Sequence, residues 1–160
     1  MMLSKLVFAT RNQYKVQEIA SILKQHMHGN KIPNIVGLDE INCSEHIPET
    51  SGTIRGNALQ KAQYVASRYQ VNCFAEDTGL EIEHLDGAPG VDTAHYAGEK
   101  RDAEDNMNLV LKKMRGIEQR TARFRTVIAL VASDEIHLFE GVCEGQILTH
   151  KRGTGGFGYD

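Results

Sequence analysis

Cysteine is scarce in this 160-residue chain, and its three copies lie far apart. Cys43, Cys73 and Cys143 are odd in number and form no CxxC pair, which argues against a disulfide frame or a cysteine zinc site. They read as reduced thiols, as in a cytosolic protein. Excess charge is also missing: the formal net charge is −3, so no global field draws nucleic acid or an anionic membrane. No basic stripe supports nucleic-acid binding either. No apolar run approaches the ~20 residues of a membrane-spanning helix. Lys5 inside the first apolar run and a polar segment straight after it argue against a signal peptide, so the expected location is the cytoplasm. Asn42-Cys43-Ser44 matches a glycosylation sequon, which without a secretion signal is a chance match. The histidines (His26, His28, His46, His84, His95, His137 and His150) have no carboxylate or cysteine partner at metal-ligand spacing. No G-x-S-x-G context supports a serine nucleophile. Repeats, low-complexity tracts and linkers are absent.

What is present suits one globular domain. Apolar and charged residues make up 41% and 24% of the chain. A chain this long buries roughly 70% of its unfolded surface and needs no staples to fold. Leu3 to Thr10 reads as a buried strand, and Val16, Ile19, Ala20, Leu23 and Met27 recur at helical spacing after it. Pro33 to Leu38 is a second strand-like piece, and Asp39 to Gly52 reads as a loop. Thr53 to Tyr69 carries a helical stripe of Ile54, Ala58, Ala62, Val65 and Tyr69. Asn72 to Ala75 and Leu80 to Leu85 read as two short strands separated by Glu76-Asp77-Thr78-Gly79, with a turn at Gly87-Ala88-Pro89-Gly90. Asp102 to Arg115 is a helix with acids at its start and bases at its end, matching the helix dipole. Thr121 to Ala132 and Ile136 to His150 suggest a hairpin. The sum is an α/β domain with a mixed β-sheet and flanking helices.

Four features bear on chemistry. Thr10-Arg11-Asn12-Gln13-Tyr14-Lys15 places two cations at a helix start, where the dipole disfavours each by ~0.3–1 kcal/mol. A polyphosphate docked there would offset that cost, though a solvated basic turn is the plain alternative. Asn57 and Lys61 lie at i,i+4 beside the stripe of the second long helix, suited to a phosphate or to ordinary surface charge. Glu76-Asp77 follow a strand at its carboxyl end, where open α/β sheets hold ligands. Magnesium binds through one or two carboxylates plus substrate phosphates, and Glu49 is a third candidate acid. A solvated acidic turn is the bland reading of the same pair. Gly153 to Gly158 formally matches G-x-G-x-x-G, but with only two residues after it no helix and distal acid follow, so the dinucleotide reading fails. A glycine-rich loop with Phe157 and Tyr159 available for base stacking survives.

In this order the motifs resemble the inosine-triphosphate pyrophosphatase (Ham1-like) family. The resemblance is carried by Phe8 to Lys15 with Glu18, Glu49-Thr50, Asn57-Ala58 with Lys61-Ala62, and Ala75 to Leu80. It continues through Gly87 to Val91, Ala94 with Tyr96-Ala97-Gly98, Arg123-Phe124 and Gly153 to Asp160. It implies two lobes around a nucleotide cleft, a homodimer, and hydrolysis of ITP, dITP or XTP to the monophosphate and pyrophosphate, with Mg²⁺ as cofactor. By position, Asp77 resembles the general base and a metal ligand, with Glu49 and Glu76 the other acids around magnesium. Lys15 and Lys61 resemble catalytic phosphate contacts. Thr10, Arg11, Asn12, Gln13, Tyr14, Asn57 and Thr78 resemble further substrate contacts, and Phe157, Gly158, Tyr159 and Asp160 the segment that frames the base.

Two departures accompany the resemblance. His95 stands where the family usually has arginine. The family also continues with a strand, a helix and a Ser-His-Arg segment, so the expectation is one domain over 1–160 lacking those C-terminal elements. The competing readings are a catalytically impaired nucleotide-binding fragment and a Maf-like pyrophosphatase. The latter usually has Ser-x-Ser-Pro-Arg-Arg where this chain has Thr10 to Lys15.

Overall fold

The computed structural model describes residues 5–27, 32–154, 156 and 158–160. Its strands form one mixed sheet in the order β2-β1-β3-β5-β6, with a short β4 paired to β3. The chain divides into two compact units, residues 1–77 with 127–139 and residues 78–126 with 140–160. Among the described residues no helix is long and apolar enough to cross a membrane.

In the first unit, β1 (Lys5–Phe8) pairs parallel with β2 (Asn34–Val36) on one side and with the start of β3 (Cys73–Ile82) on the other. Parallel neighbours need crossover connections, which α1 (Gln13–His26) and α2 (Ile54–Tyr69) supply. The chain steps from β1 to β2 in one direction and from β2 past β1 to β3 in the other. Right-handed crossovers therefore place the two helices on opposite faces of the sheet. Leu6, Phe8, Ile35, Phe74 and Val16 form the core on the α1 face, with Ile19, Ala20 and Leu23 packed against it. Phe8 and Phe74 stack there with ring centroids 4.4 Å apart, worth about 0.5–1.5 kcal/mol beyond their burial. The stripe expected for α2 is buried, with Ala58, Ala62 and Val65 at 0% exposure. Each helix begins on a side-chain cap. The Asn12 carbonyl accepts from the Tyr14 and Lys15 amides, and the Thr53 hydroxyl accepts from the Gly56 amide. The expected loop from Asp39 to Gly52 opens on a 3₁₀ turn, Leu38–Ile41.

In the second unit, Leu80, Ile82, Val110, Met114 and Ala122 form a separate core, joined by Tyr96, Phe124 and Tyr159 at its border. The two short strands expected around Glu76 to Gly79 are one continuous strand, β3. The four residues carry turn chemistry, but they lie within a strand paired to β1 before them and to β4 after them, and that tertiary setting outweighs their local preference. β4 (Pro89–Gly90) pairs antiparallel with Leu80 and Glu81, in the place expected for a turn. α3 (Ala103–Lys113) starts on Asp102, whose carboxylate accepts from the Asp105 amide at 2.9 Å. The hairpin of β5 (Thr121–Ala132) and β6 (Glu135–Gln146) turns on Ser133 and Asp134. Their φ angles of 51° and 67° are those of a type I′ turn, formed here without the usual glycine.

Candidate active site

β1 stops at Phe8, whose partner on β3 is Phe74, so Glu76 and Asp77 extend past the end of β1. Consecutive strand residues point to opposite faces. Glu76 shares the α1 face with Phe74, and Asp77 shares the α2 face with Cys73 and Ala75. Each acid meets the lysine of the helix on its own side. Lys15, in the first turn of α1, reaches Glu76 at 2.5 Å. Lys61, in the middle of α2, reaches Asp77 at 3.1 Å and Glu49 at 3.2 Å. The two acids of β3 therefore lie in two separate ion pairs, one with Lys15 of the opening turn and one with Lys61 of α2. Their strand anchors are adjacent residues, with Cα atoms about 3.8 Å apart across a trans peptide. A ligand touching both pairs would lie over the end of β1.

The Lys61 cluster is the buried half. Lys61 itself is only 8% exposed, which is rare for lysine unless it is paired. Burial works against its ammonium, but Asp77 and then Glu49 outweigh burial and hold its pKa above the ordinary lysine value. At Asp77, burial pushes the carboxyl above the usual aspartate range. Lys61 pulls it back down, while Glu49 and Glu76 add to the rise. The two rises differ in origin: burial leads at Asp77, and the neighbouring acids at Lys61. An acid held above its ordinary value is better matched to proton transfer near neutrality than a free aspartate.

The rest of the opening turn is engaged in structure. Thr10 Oγ1 accepts from the Asn12 amide, Asn12 caps α1, and Gln13 donates to Asp39 at 3.2 Å. Arg11 turns away from the lysines and donates to the backbone carbonyls of Cys43 and Glu45 at 3.3 and 2.5 Å. Tyr14 stands 79% exposed. Asn57 is buried, its carbonyl accepting from the Ser51 amide and hydroxyl. Gly37 lies so close beneath the turn that an added Cβ would stand 3.3 Å from the Thr10 carbonyl oxygen.

In the second unit, the hydroxyls of Thr78 and Thr126 lie 2.8 Å apart. Tyr159 donates to the Thr93 carbonyl at 3.1 Å, and burial pushes its phenol up to about 12. Its ring packs at the border of that unit's core and anchors the segment. At Gly158 an added Cβ would come within 3.1 Å of Ala103 Cβ. Asp160 is exposed, and Phe157 lies outside the described residues, as does His28. His95, in place of the usual arginine, lies 3.2 Å from Asp92.

Sequence reading missed Glu45, Thr126 and Glu81. Glu45 accepts from the hydroxyls of Tyr64 and Tyr69 at 2.9 and 2.8 Å. Glu81 is gripped by Arg123 at 2.7 Å and Arg125 at 2.8 Å. Each depends on a partner distant in sequence, and none lies in a spaced motif. Among the described residues no three acidic, histidine or cysteine side chains converge closely enough to hold a metal ion. Asp77 and Glu49, which share one ammonium, are a pair of hard oxygen donors. That fits a magnesium ion that takes one or two carboxylates and fills its other positions with water and phosphate.

Comparison with known proteins identifies the family. The Ham1 family profile matches residues 6–160. The dITP/XTP pyrophosphatase of Porphyromonas gingivalis is 51% identical over 159 residues, covering 99% of this chain and 79% of the relative. That of Flavobacterium johnsoniae is 47% identical over 156 residues, covering 98% of this chain and 78% of the relative. Among solved structures, a Coxiella burnetii HAM1 protein superposes with a TM-score of 0.87 at 32% identity, covering 99% of this chain and 80% of that one. The Staphylococcus aureus Ham1 protein gives 0.86 at 32% identity, covering 98% of this chain and 78% of that one. With its profile match, its relatives and its fold in agreement, the chain belongs to the Ham1 family.

Proposed function

We propose that this chain hydrolyses deaminated purine nucleoside triphosphates (ITP, dITP, XTP) to the monophosphate and pyrophosphate, clearing them from the nucleotide pool. The observation that carries the reading is Asp77, half-buried with its carboxylate 3.1 Å from Lys61 and directly following the acid that pairs with Lys15. Relatives about half identical to this chain bear the name dITP/XTP pyrophosphatase.

The chemistry asks for positioning and charge balance more than for covalent work. A triphosphate brings about four negative charges at neutral pH, and Lys15 and Lys61 each give up a carboxylate contact for a phosphate oxygen. Asp77, released from Lys61, accepts a proton from the water that attacks the α-phosphorus. The new P–O bond forms as the bond from the α-phosphorus to the bridging oxygen breaks, and pyrophosphate departs with that oxygen. Magnesium held by Asp77 and Glu49 would supply further neutralisation of the phosphates; Glu76, expected as a third ligand, faces Lys15 instead. A homodimer and a cytoplasmic location belong to the same reading. They are supported by the family resemblance and by the scarcity of cysteine.

The test is pyrophosphate release from ITP, XTP and ATP with magnesium present. Release from ITP and XTP well above that from ATP is expected. Equal rates on all three would leave the chain a triphosphatase without preference for deaminated bases.

A further inference from the structure

Arg11 sits in the turn that leads to Lys15, yet its guanidinium points toward the loop that leads to α2. Its Nη2 reaches the carbonyls of Cys43 and Glu45, more than thirty residues along the chain. Glu45 is also held from the other side. Its carboxylate accepts from Tyr64 and Tyr69 and lies 3.4 Å from Arg68 Nε, all three on α2. Those hydroxyls and the Arg68 charge hold the carboxyl below the usual glutamate range. Glu45 thus joins the turn after β1, through its backbone, to α2, through its side chain. Four residues on, the same loop delivers Glu49 to Lys61. Lys15 stands on one face of the sheet and Lys61 on the other, and the Arg11–Glu45 contact bridges between them past the end of β1.

We propose that Arg11 and Glu45 are positioning residues that fix Glu49 against Lys61, and that Arg11 is not a phosphate contact. The proposal rests on the pyrophosphatase reading for the role it gives Glu49. Arg11 Nη2 is spent on two backbone carbonyls within the protein, unlike the ammonium groups of Lys15 and Lys61, whose partners are carboxylates that a phosphate can displace. Thr50 is held to Gln60 on the far side of Glu49, so losing either tether loosens the loop from its Glu45 side and Glu49 is less often in place. Phosphate binding by the two lysines is untouched.

The test uses the full chain with two variants, Arg11→Met and Glu45→Ala. The first measurement is affinity for a non-hydrolysable α,β-imido analogue of inosine triphosphate in EDTA, where Glu49 holds no metal. The second is the magnesium concentration giving half-maximal pyrophosphate release. Positioning predicts analogue affinity within about twofold of the parent and a magnesium requirement raised several-fold in both variants, within the range expected of coupled residues. If Arg11→Met melts too low to assay, Glu45→Ala carries the test alone, because its tether is on the opposite side of the loop. Tenfold weaker analogue binding in Arg11→Met, or an unchanged magnesium requirement in the variants, overturns the proposal. A parent chain that releases no pyrophosphate from ITP overturns the underlying reading instead.

Discussion

Lys61 and Asp77 illustrate how burial and neighbouring charge divide a titration between partners. Burial and the two other acids push Asp77 up, and only Lys61 holds it down. Removing that ammonium moves the carboxyl further up. With Asp77 as the base, Lys61→Met therefore shifts the acidic limb of the kcat/KM profile to higher pH, besides lowering the rate. A pH–rate series at fixed magnesium reads the limb directly, and an unmoved limb would separate Lys61 from the titration of the base. At this scale the sequence was informative where residue types stand in spaced motifs, as with Lys15, Lys61, Glu76 and Asp77. It was silent on the direction of side chains. Arg11 and Lys15 read alike as cations in a helix-entry turn, and only the fold shows one on a carboxylate and the other on carbonyls.

Among the elements, α1 shows a helix start that serves two ends. Its cap, Asn12, uses one carbonyl oxygen to accept from two backbone amides at 3.0 and 3.4 Å. Asn12→Ala should cost about 1 kcal/mol, the usual worth of an N-cap, visible as a lower urea midpoint with an unchanged slope. A variant as stable as the parent would show that the cap contributes nothing. α1 and α2 were legible from their apolar stripes, and α3 from the acids and bases at its ends, because these are local signals. The unity of β3 was not, since Glu76 to Gly79 reads as a turn until the neighbouring strands are known. The hairpin was readable from its two β-rich runs, although its turn residues Ser133 and Asp134 carry none of the usual glycine.

For the molecule as a whole, acid sensitivity follows from the ion pairs. Glu81 is the clearest case. Burial works to raise its pKa, but Arg123 and Arg125 outweigh burial and hold it below the ordinary glutamate range. A depressed folded-state value stabilises the protein above the unfolded-state pKa, and the gain is lost as pH falls through the folded value. The stability difference between the parent and Glu81→Gln should therefore be full near neutrality and shrink in acid. Urea midpoints at pH 6 and pH 3 measure it, and a difference independent of pH would contradict the assignment. The fold class was legible from the alternation of strands and helices, but the division into two units depends on contacts no local pattern reports.

The central claim is that Asp77 takes the proton from the attacking water. The most direct measurement compares steady-state pyrophosphate release from ITP by the parent chain and by Asp77→Asn, with thermal melts run alongside. Asp77→Asn keeps the shape and removes the base, so it should fold normally and lose about 10²-fold or more in turnover, the low end of general-base effects. Near-parental turnover in a folded Asp77→Asn would contradict it.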